Sequence, residues 1–497
     1  MRAHPAGPRH GDVVVSHVLP QRPVSTSGDL DPGIWPTNAA RSAEGELTIA
    51  GKSVSDLAEE FHTPLYVVDE SDFRQRAARF KAAYDTAEMP ADVYYAAKAF
   101  LATAIARWVS EEGLGIDVST GGELLVALRA GVDPSRILFH GNNKSVAEIN
   151  HAVEVGVGRI VVDSVTEIDR VAAAAAHFGR QVDVLVRVTV GVEAHTHEFI
   201  ATAHEDQKFG LSLADGKATD AVDRVIAAPT LNMMGLHSHI GSQIFDAAGF
   251  EVAAARVVAL AADIRQRHGI VVQELNLGGG MGIAYTTADD PLDVDHMAAA
   301  LREIVQQACA RVELPLPRLA FEPGRAIVGP AGITVYEVGT VKPVSLGHDQ
   351  QRMYVSVDGG MSDNIRTALY DADYTVILAN RVSTAEPMMS RVVGKHCESG
   401  DIVVRDAWLP GDIAPGDLLA VAATGAYCRS MASQYNYVPR PGVVGVNHGS
   451  ASVILRRETE DDLLLLDPGA VSRDHTAAGS SVTTEPHHPS ASRSVHV

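Results

Sequence analysis

Val93-Tyr94-Tyr95-Ala96-Ala97-Lys98-Ala99-Phe100 reads as a short apolar strand that ends on a lysine, with a helix expected over Leu101 to Val109. A lysine at the C-terminal end of a buried strand packs poorly, because its ammonium loses hydration there. Desolvation lowers the pKa of such an amine, and a neutral amine condenses with an aldehyde. The competing account is a lysine that snorkels to the strand mouth. Two questions follow: whether this strand belongs to a repeating set, and whether other strands also end on reactive groups.

From Val93 onward, apolar strand-like runs alternate with helical patterns. The expected strands cover 93–97, 114–118, 136–140, 159–162, 182–190, 231–240, 271–277 and 317–322. Helical patterns fall between them, as at Gly122 to Ala130, Ala147 to Val155, Glu167 to Phe178 and Phe250 to His268. Eight such strands point to an α/β fold, a closed TIM-like (β/α)8 barrel, with a doubly wound open sheet as the structural runner-up. A barrel places reactive residues just past its strand C-termini. Those positions carry Lys98, Asp117, His140, Asp163, Arg187, His239, Gly278 to Gly280, and Glu322 with Arg325.

The flanks differ. Residues 1–45 are rich in Pro, Gly, Ser, Arg and His without apolar periodicity and are expected to be disordered. Residues 46–68 read as a strand near Leu47, a short helix over Val54 to Phe61 and a strand at Leu65 to Val68, contributing to a second domain. Residues 69–328 form the expected barrel. Residues 329–468 show strands between Gly/Pro turns, a mostly β C-terminal domain. Residues 469–497 are Ser/Thr/His/Pro-rich and expected to be disordered. The formal charge of −21 argues against nucleic acid and anionic membranes as partners. No run of 18 or more apolar residues and no signal-peptide core occurs, and the three cysteines form no disulfide framework. These features lead to the expectation of a cytoplasmic protein.

Leu236-His-Ser-His-Ile-Gly-Ser-Gln243 puts His237 and His239 on one strand face. A zinc pair would need a third ligand. His195, His197 and His204 are the other candidates, but they lie in a Glu/Thr-rich insertion that reads as a mobile lid, and no metal is expected. An imidazole facing a flat heteroaromatic ring is the alternative. Gly278, Gly279 and Gly280 let backbone N–H groups approach an anion such as phosphate. A plain glycine turn explains them about as well. In Phe321-Glu-Pro-Gly-Arg325, Glu322 is either paired with Arg325 or placed beside a pyridine nitrogen, which it keeps protonated. The turn His396-Cys-Glu-Ser-Gly-Asp401 sets Cys397 among acids, which suits a proton donor better than a nucleophile. Arg366, Tyr370 and Tyr427 follow strands and taken singly are ordinary turn residues. Cys309 and Cys428 read as small buried hydrophobes.

Lys98, His239, the glycine loop, Glu322-Pro-Gly-Arg325, Cys397-Glu398 and Tyr427 occur together in an order that resembles the fold type III pyridoxal-phosphate decarboxylases. This is the ornithine/diaminopimelate/arginine decarboxylase family, with a barrel of the alanine-racemase type. The resemblance covers residues 45–467 and is strongest to the members acting on diaminopimelate. It implies pyridoxal 5′-phosphate as cofactor, with Lys98 holding it covalently and His239 stacking on its ring. It further implies that Ser242, Gly278 to Gly280 and Tyr427 contact the phosphate, with Gly324 and Arg325 beside them, and that Glu322 partners the ring nitrogen. Arg325, Arg366 and Tyr370 are implied as contacts of a distal substrate carboxylate, Tyr427 as a further substrate-binding residue, Glu398 as partner of the distal ammonium, and Cys397 as proton donor. Family members are homodimers whose sites are shared, Cys397 and Glu398 arriving from the neighbouring subunit.

The residue chemistry agrees with decarboxylation of diaminopimelate to lysine. A protonated ring is the stronger electron sink, whereas an arginine at that nitrogen would favour racemisation. Ornithine, lysine and arginine end in a cation and call for carboxylates. A distal zwitterion calls for both signs, which Arg325, Arg366 and Glu398 provide. A non-catalytic regulatory homologue is a further alternative, disfavoured by the joint presence of Lys98, Glu322 and Cys397.

Overall fold

Short runs of β-branched and aromatic residues, buried on both faces, form the parallel strands Ala91–Ala96, Gly115–Val118, Ile137–Phe139, Arg159–Val162, Val182–Thr189, Leu231–His237, Glu274–Asn276 and Arg318–Phe321. They pair in chain order, and Leu319 opposite Ala91 closes the ring. The result is an eight-stranded parallel barrel, not an open sheet. The computed structural model describes residues 30–87, 90–191, 208–291, 293–347 and 350–470. The expected lid with His195, His197 and His204, and the tail from residue 471 onward, lie outside the described residues.

Side chains alternate across each barrel strand. Tyr94, Leu138, Val161, Leu185, Met234 and Ala320 pack against one another as an apolar plug inside the barrel. Their neighbours Val93, Tyr95, Ile137, Phe139, Val184, Val186, Leu319 and Phe321 belong to the larger core shared with the surrounding helices. The longest of these helices, Ala248–His268, buries Phe250, Ala254, Val257, Val258, Ala261 and Ile264 at three- and four-residue spacing. Two residues beyond the plug, the same alternation brings Ala96, His140, Asp163, Arg187 and Glu322 to the mouth.

The second sheet is built mainly from the C-terminal part. The long strand Gly332–Gly347 pairs with Gln350–Val357 on one side and with Leu65–Asp69 on the other. Leu65–Asp69 also pairs with Gly442–Asn447, which continues into Ser450–Leu455. Two sequence expectations need correction. Residues 30–45 are ordered from Leu30 onward, because Ile34 and Trp35, 1% and 2% exposed, pack with Leu47, Leu57, Val335 and Val444. The strand Leu47–Ile49 sits in a separate three-stranded sheet with Ala39–Arg41 and Lys52–Ser53. Among its links to the C-terminal domain is the Leu47 N–H bond to the Ala379 carbonyl (2.7 Å). Among the described residues no helix is long and apolar enough to cross a membrane.

The two units meet at the barrel mouth. Tyr427 N–H donates to the Ala99 carbonyl at 2.8 Å and Ser430 Oγ to the same oxygen at 3.0 Å. The C-terminal unit therefore clamps the turn that carries Lys98.

Candidate active site

A cleft of about 350 Å³, open to solvent, lies over the C-terminal ends of the barrel strands. Ala96, Lys98, His239, Gly241, Ser242, Gly280, Met281, Glu322, Gly324, Arg325 and Tyr427 line it. Gly324 is required by packing, since a Cβ there would lie 2.9 Å from Ala96 Cβ and 3.0 Å from Ala99 Cβ.

Glu322 forms the anionic end. It is 6% exposed, and Oε1 accepts from His140 Nε2 at 2.8 Å and Asn276 Nδ2 at 2.8 Å. His237 Nε2 lies 3.2 Å from Oε1 and 3.4 Å from Oε2. Burial alone would raise this carboxyl, but the imidazoles of His140 and His237 outweigh it and hold Glu322 well below the usual carboxylate range. Burial pushes His237 itself down to about 4. Behind this group, burial drives Asp117 up to about 6 against the pull of His140, whose Nε2 is 3.7 Å away. His140, His237 and Glu322 also lie close enough together to be metal ligands. Their mutual hydrogen bonds, shared with Asn276, already account for the geometry.

The opposite end is cationic. Arg325 Nη2 donates to Ser242 Oγ at 2.9 Å and Nη1 to Tyr285 Oη. Its guanidinium lies 4.6 Å from the Tyr427 ring centroid. Gly280 provides a backbone wall: its φ is +104°, and a Cβ there would stand 2.3 Å from the Gly241 carbonyl oxygen. Of the glycine run, Gly280 is the member that lines the cleft. The Gly278 N–H is taken by Asn276 Oδ1 (2.8 Å) and the Gly279 N–H by His239 Nδ1 (3.3 Å). That last bond assigns the His239 proton to Nε2. Burial, then the Lys98 and Arg187 cations, push His239 well below its ordinary value, so the ring is neutral.

Lys98 departs from the reading of its stretch. The strand ends at Ala96, Lys98 sits in the following turn, and its side chain is exposed at the cleft. Lys98 is therefore not at a buried strand end. Arg325 is likewise not the partner of Glu322; it faces Ser242 and the tyrosines. Arg366, 6% exposed, stands behind Arg325, with Nη1 donating to Tyr374 Oη at 2.5 Å and the guanidinium 4.6 Å from the Tyr285 ring centroid. Tyr370 (52% exposed), Cys397 and Glu398 do not line the cleft. Cys397 is exposed on a turn where its N–H donates to Asn436 Oδ1 (3.0 Å). Cys309 and Cys428 are buried, and burial pushes the Cys428 thiol up to about 11.

Sequence reasoning named His140 and Asp117 as strand-end residues without a task, and it missed Asn276, Tyr285 and Tyr374. Alternation along each strand was the available signal for Asn276, since it shares a face with Glu274 inside the barrel. Nothing local marks the tyrosines, which act across the chain.

The donor set fits a flat, phosphorylated pyridine aldehyde. A carboxylate held ionised suits a ring N–H, a neutral imidazole suits the ring face, an amine at the rim suits the aldehyde, and Arg325, Ser242 and the Gly280 backbone suit a phosphate. Fold and site together define a barrel enzyme that carries pyridoxal phosphate. Residues 70–329 match the family of pyridoxal-dependent decarboxylases, pyridoxal binding domain. The chain is 57% identical to a diaminopimelate decarboxylase of Mycobacterium leprae, over 94% of this chain and 100% of that protein. It is 45% identical to a diaminopimelate decarboxylase of Bacillus subtilis, over 86% and 96%. A crystal structure of diaminopimelate decarboxylase from M. jannaschii in complex with L-lysine superposes with a TM-score of 0.81 at 31% identity, covering 87% of this chain and 98% of that one. The chain belongs to the diaminopimelate decarboxylase family.

Proposed function

We propose that the chain decarboxylates meso-2,6-diaminoheptanedioate (diaminopimelate) to L-lysine and CO2, the last step of lysine biosynthesis, as a cytoplasmic homodimer with shared sites. The observation that carries the reaction type is Glu322, a buried carboxylate kept ionised by two imidazoles in the cleft that Lys98 faces. The names of the relatives and the paired cations Arg325 and Arg366 support the substrate.

A bound pyridoxal ring supplies the electron sink for the pair left on the substrate carbon when CO2 departs. Glu322 would hold a proton on the cofactor's ring nitrogen, and His140, His237 and Asn276 hold Glu322. His239 would offer its imidazole plane to one face of the ring. Ser242, Gly280, Arg325 and Tyr427 would hold the phosphate, with Gly278 and Gly279 shaping that loop and Gly324 allowing close approach. Lys98 Nζ would hold the cofactor covalently at its aldehyde carbon. Arg366, with Arg325, Tyr370 and Tyr427, orients the distal carboxylate, and Glu398 the distal ammonium.

The Cys397 Sγ–H delivers the proton that replaces CO2. The cysteine lies on an exposed turn of the chain. A proton donor must come within roughly 3–4 Å of the carbon or act through one water. A two-fold partner offering its Cys397 turn to this cleft meets that requirement and gives two equivalent sites.

Release of CO2 from meso-diaminopimelate, lysine and ornithine, measured side by side, tests the reading. Turnover restricted to diaminopimelate is expected. Equal turnover of lysine or ornithine would contradict the distal-zwitterion assignment.

A further inference from the structure

Two guanidiniums repel each other, yet Arg325 of the barrel and Arg366 of the β domain are held around a single side chain, Tyr285. Arg325 Nη1 donates to Tyr285 Oη. The Arg366 guanidinium lies 4.6 Å from the Tyr285 ring centroid, within cation–π range. Tyr285 is 6% exposed and meets Tyr374 edge-on, with centroids 5.2 Å apart and planes at 81°. Tyr374 Oη accepts the Arg366 Nη1 bond from the other side.

The backbone of Tyr285 is fixed from both units. Its N–H donates to Asp289 Oδ2 at 3.0 Å. Its carbonyl accepts from Thr375 N–H at 3.1 Å and Thr375 Oγ1 at 2.8 Å, across the boundary to the β domain. One residue thus ties the loop after the seventh barrel strand to the segment that carries Tyr374. It also offers each arginine a different compensation, an acceptor oxygen for one and a ring face for the other.

We propose that Tyr285 is a specificity-determining positioning residue: it sets the spacing of Arg325 and Arg366 and thereby the recognition of a distal carboxylate. The inference rests on the substrate reading given above. Arg325, which also reaches the cofactor end, and Arg366 then act on the distal carboxylate as a pair of fixed spacing. Without the phenol the two cations are free to separate, and a substrate lacking the distal carboxylate loses its disadvantage.

Tyr285→Phe retains the ring beneath Arg366 and removes the acceptor of Arg325; Tyr285→Leu removes both. In the holoenzyme, Tyr285→Phe is expected to raise KM for diaminopimelate about tenfold with kcat within about threefold. Calorimetric binding of pimelate, a non-reacting dicarboxylate, should weaken by a similar factor, with binding of hexanoate unchanged. Tyr285→Leu should weaken pimelate further. Equal weakening of pimelate and hexanoate, or no change in either for Tyr285→Phe at unchanged melting temperature, would overturn the inference. If the wild-type enzyme does not turn over diaminopimelate, the substrate reading fails first, and the inference falls with it.

Discussion

At the barrel mouth, Glu322 is buried, ionised and gripped by His140, Asn276 and His237. At the turn of residues 396–401, Cys397 is exposed and its backbone is held by Asn436. The first region is complete within one chain: every strand end that matters converges on it, and its charges are balanced by their neighbours. The second carries a reactive group with none of the cleft around it. Under the proposed function, in which Cys397 is the proton donor, one reaction is divided between two places. The difference also separates two kinds of mutational effect, one electrostatic and coupled to folding, the other local.

The sharpest contrast comes from Cys397→Ala. Removing a positioned proton donor costs on the order of 10²–10⁴ in rate. Truncating an exposed side chain leaves stability within roughly ±0.5 kcal/mol. Steady-state turnover together with denaturant titration should show the first without the second. A matching loss of stability would mean that the turn is structural.

Glu322→Gln tests the other region. Losing a preorganised charge of this kind lowers kcat by about 10²–10³. His140 and His237 also lose the anion they face. Activity should fall by that factor, and the visible absorbance of the bound cofactor should shift, because the ring nitrogen no longer faces an anion. An unchanged spectrum would break the assignment of Glu322 to the ring nitrogen.

Asp117 offers a pH-dependent test of how tightly the mouth is coupled. Burial raises its folded pKa to about 6, above the unfolded value of about 3.9. The folded state therefore binds more protons than the unfolded state between these values, and its stability falls as pH rises through that window. Asp117→Asn removes the dependence. Relative to the variant, the wild type should lose on the order of 1–3 kcal/mol between pH 4 and pH 7, read by urea denaturation at several pH values. Parallel stability curves would show that Asp117 is not buried in its charged form.

The same division governs how legible each region is in the sequence. The barrel strands stand out because each is a short run of apolar residues buried on both faces, and their polar termini are the positions where such runs stop. Alternation then carries Asp117, His140 and Glu322 inward without further information. The strands Gly442–Asn447 and Ser450–Leu455 are not among those the sequence marks. The second has an exposed and half-exposed face pattern, so its apolar signal is diluted. Ile34 and Trp35 carry no periodic signal, because two adjacent residues outside any helix or strand seal that edge of the core. Tyr285 and Tyr374 lie about 90 residues apart and acquire a role only through long-range contacts. The exposure of Lys98 is not legible in its stretch, because the strand ends two residues before it.

Subunit complementation tests the division between cleft and turn most directly. Lys98→Ala and Cys397→Ala should each be nearly inactive alone. Mixed under conditions in which subunits exchange, hybrid dimers carry both lesions in one site and neither in the other, so activity should return, to about half the wild-type value per hybrid dimer. No recovery despite demonstrated exchange would place Cys397 and Lys98 in the same site of one chain, or remove Cys397 from the reaction.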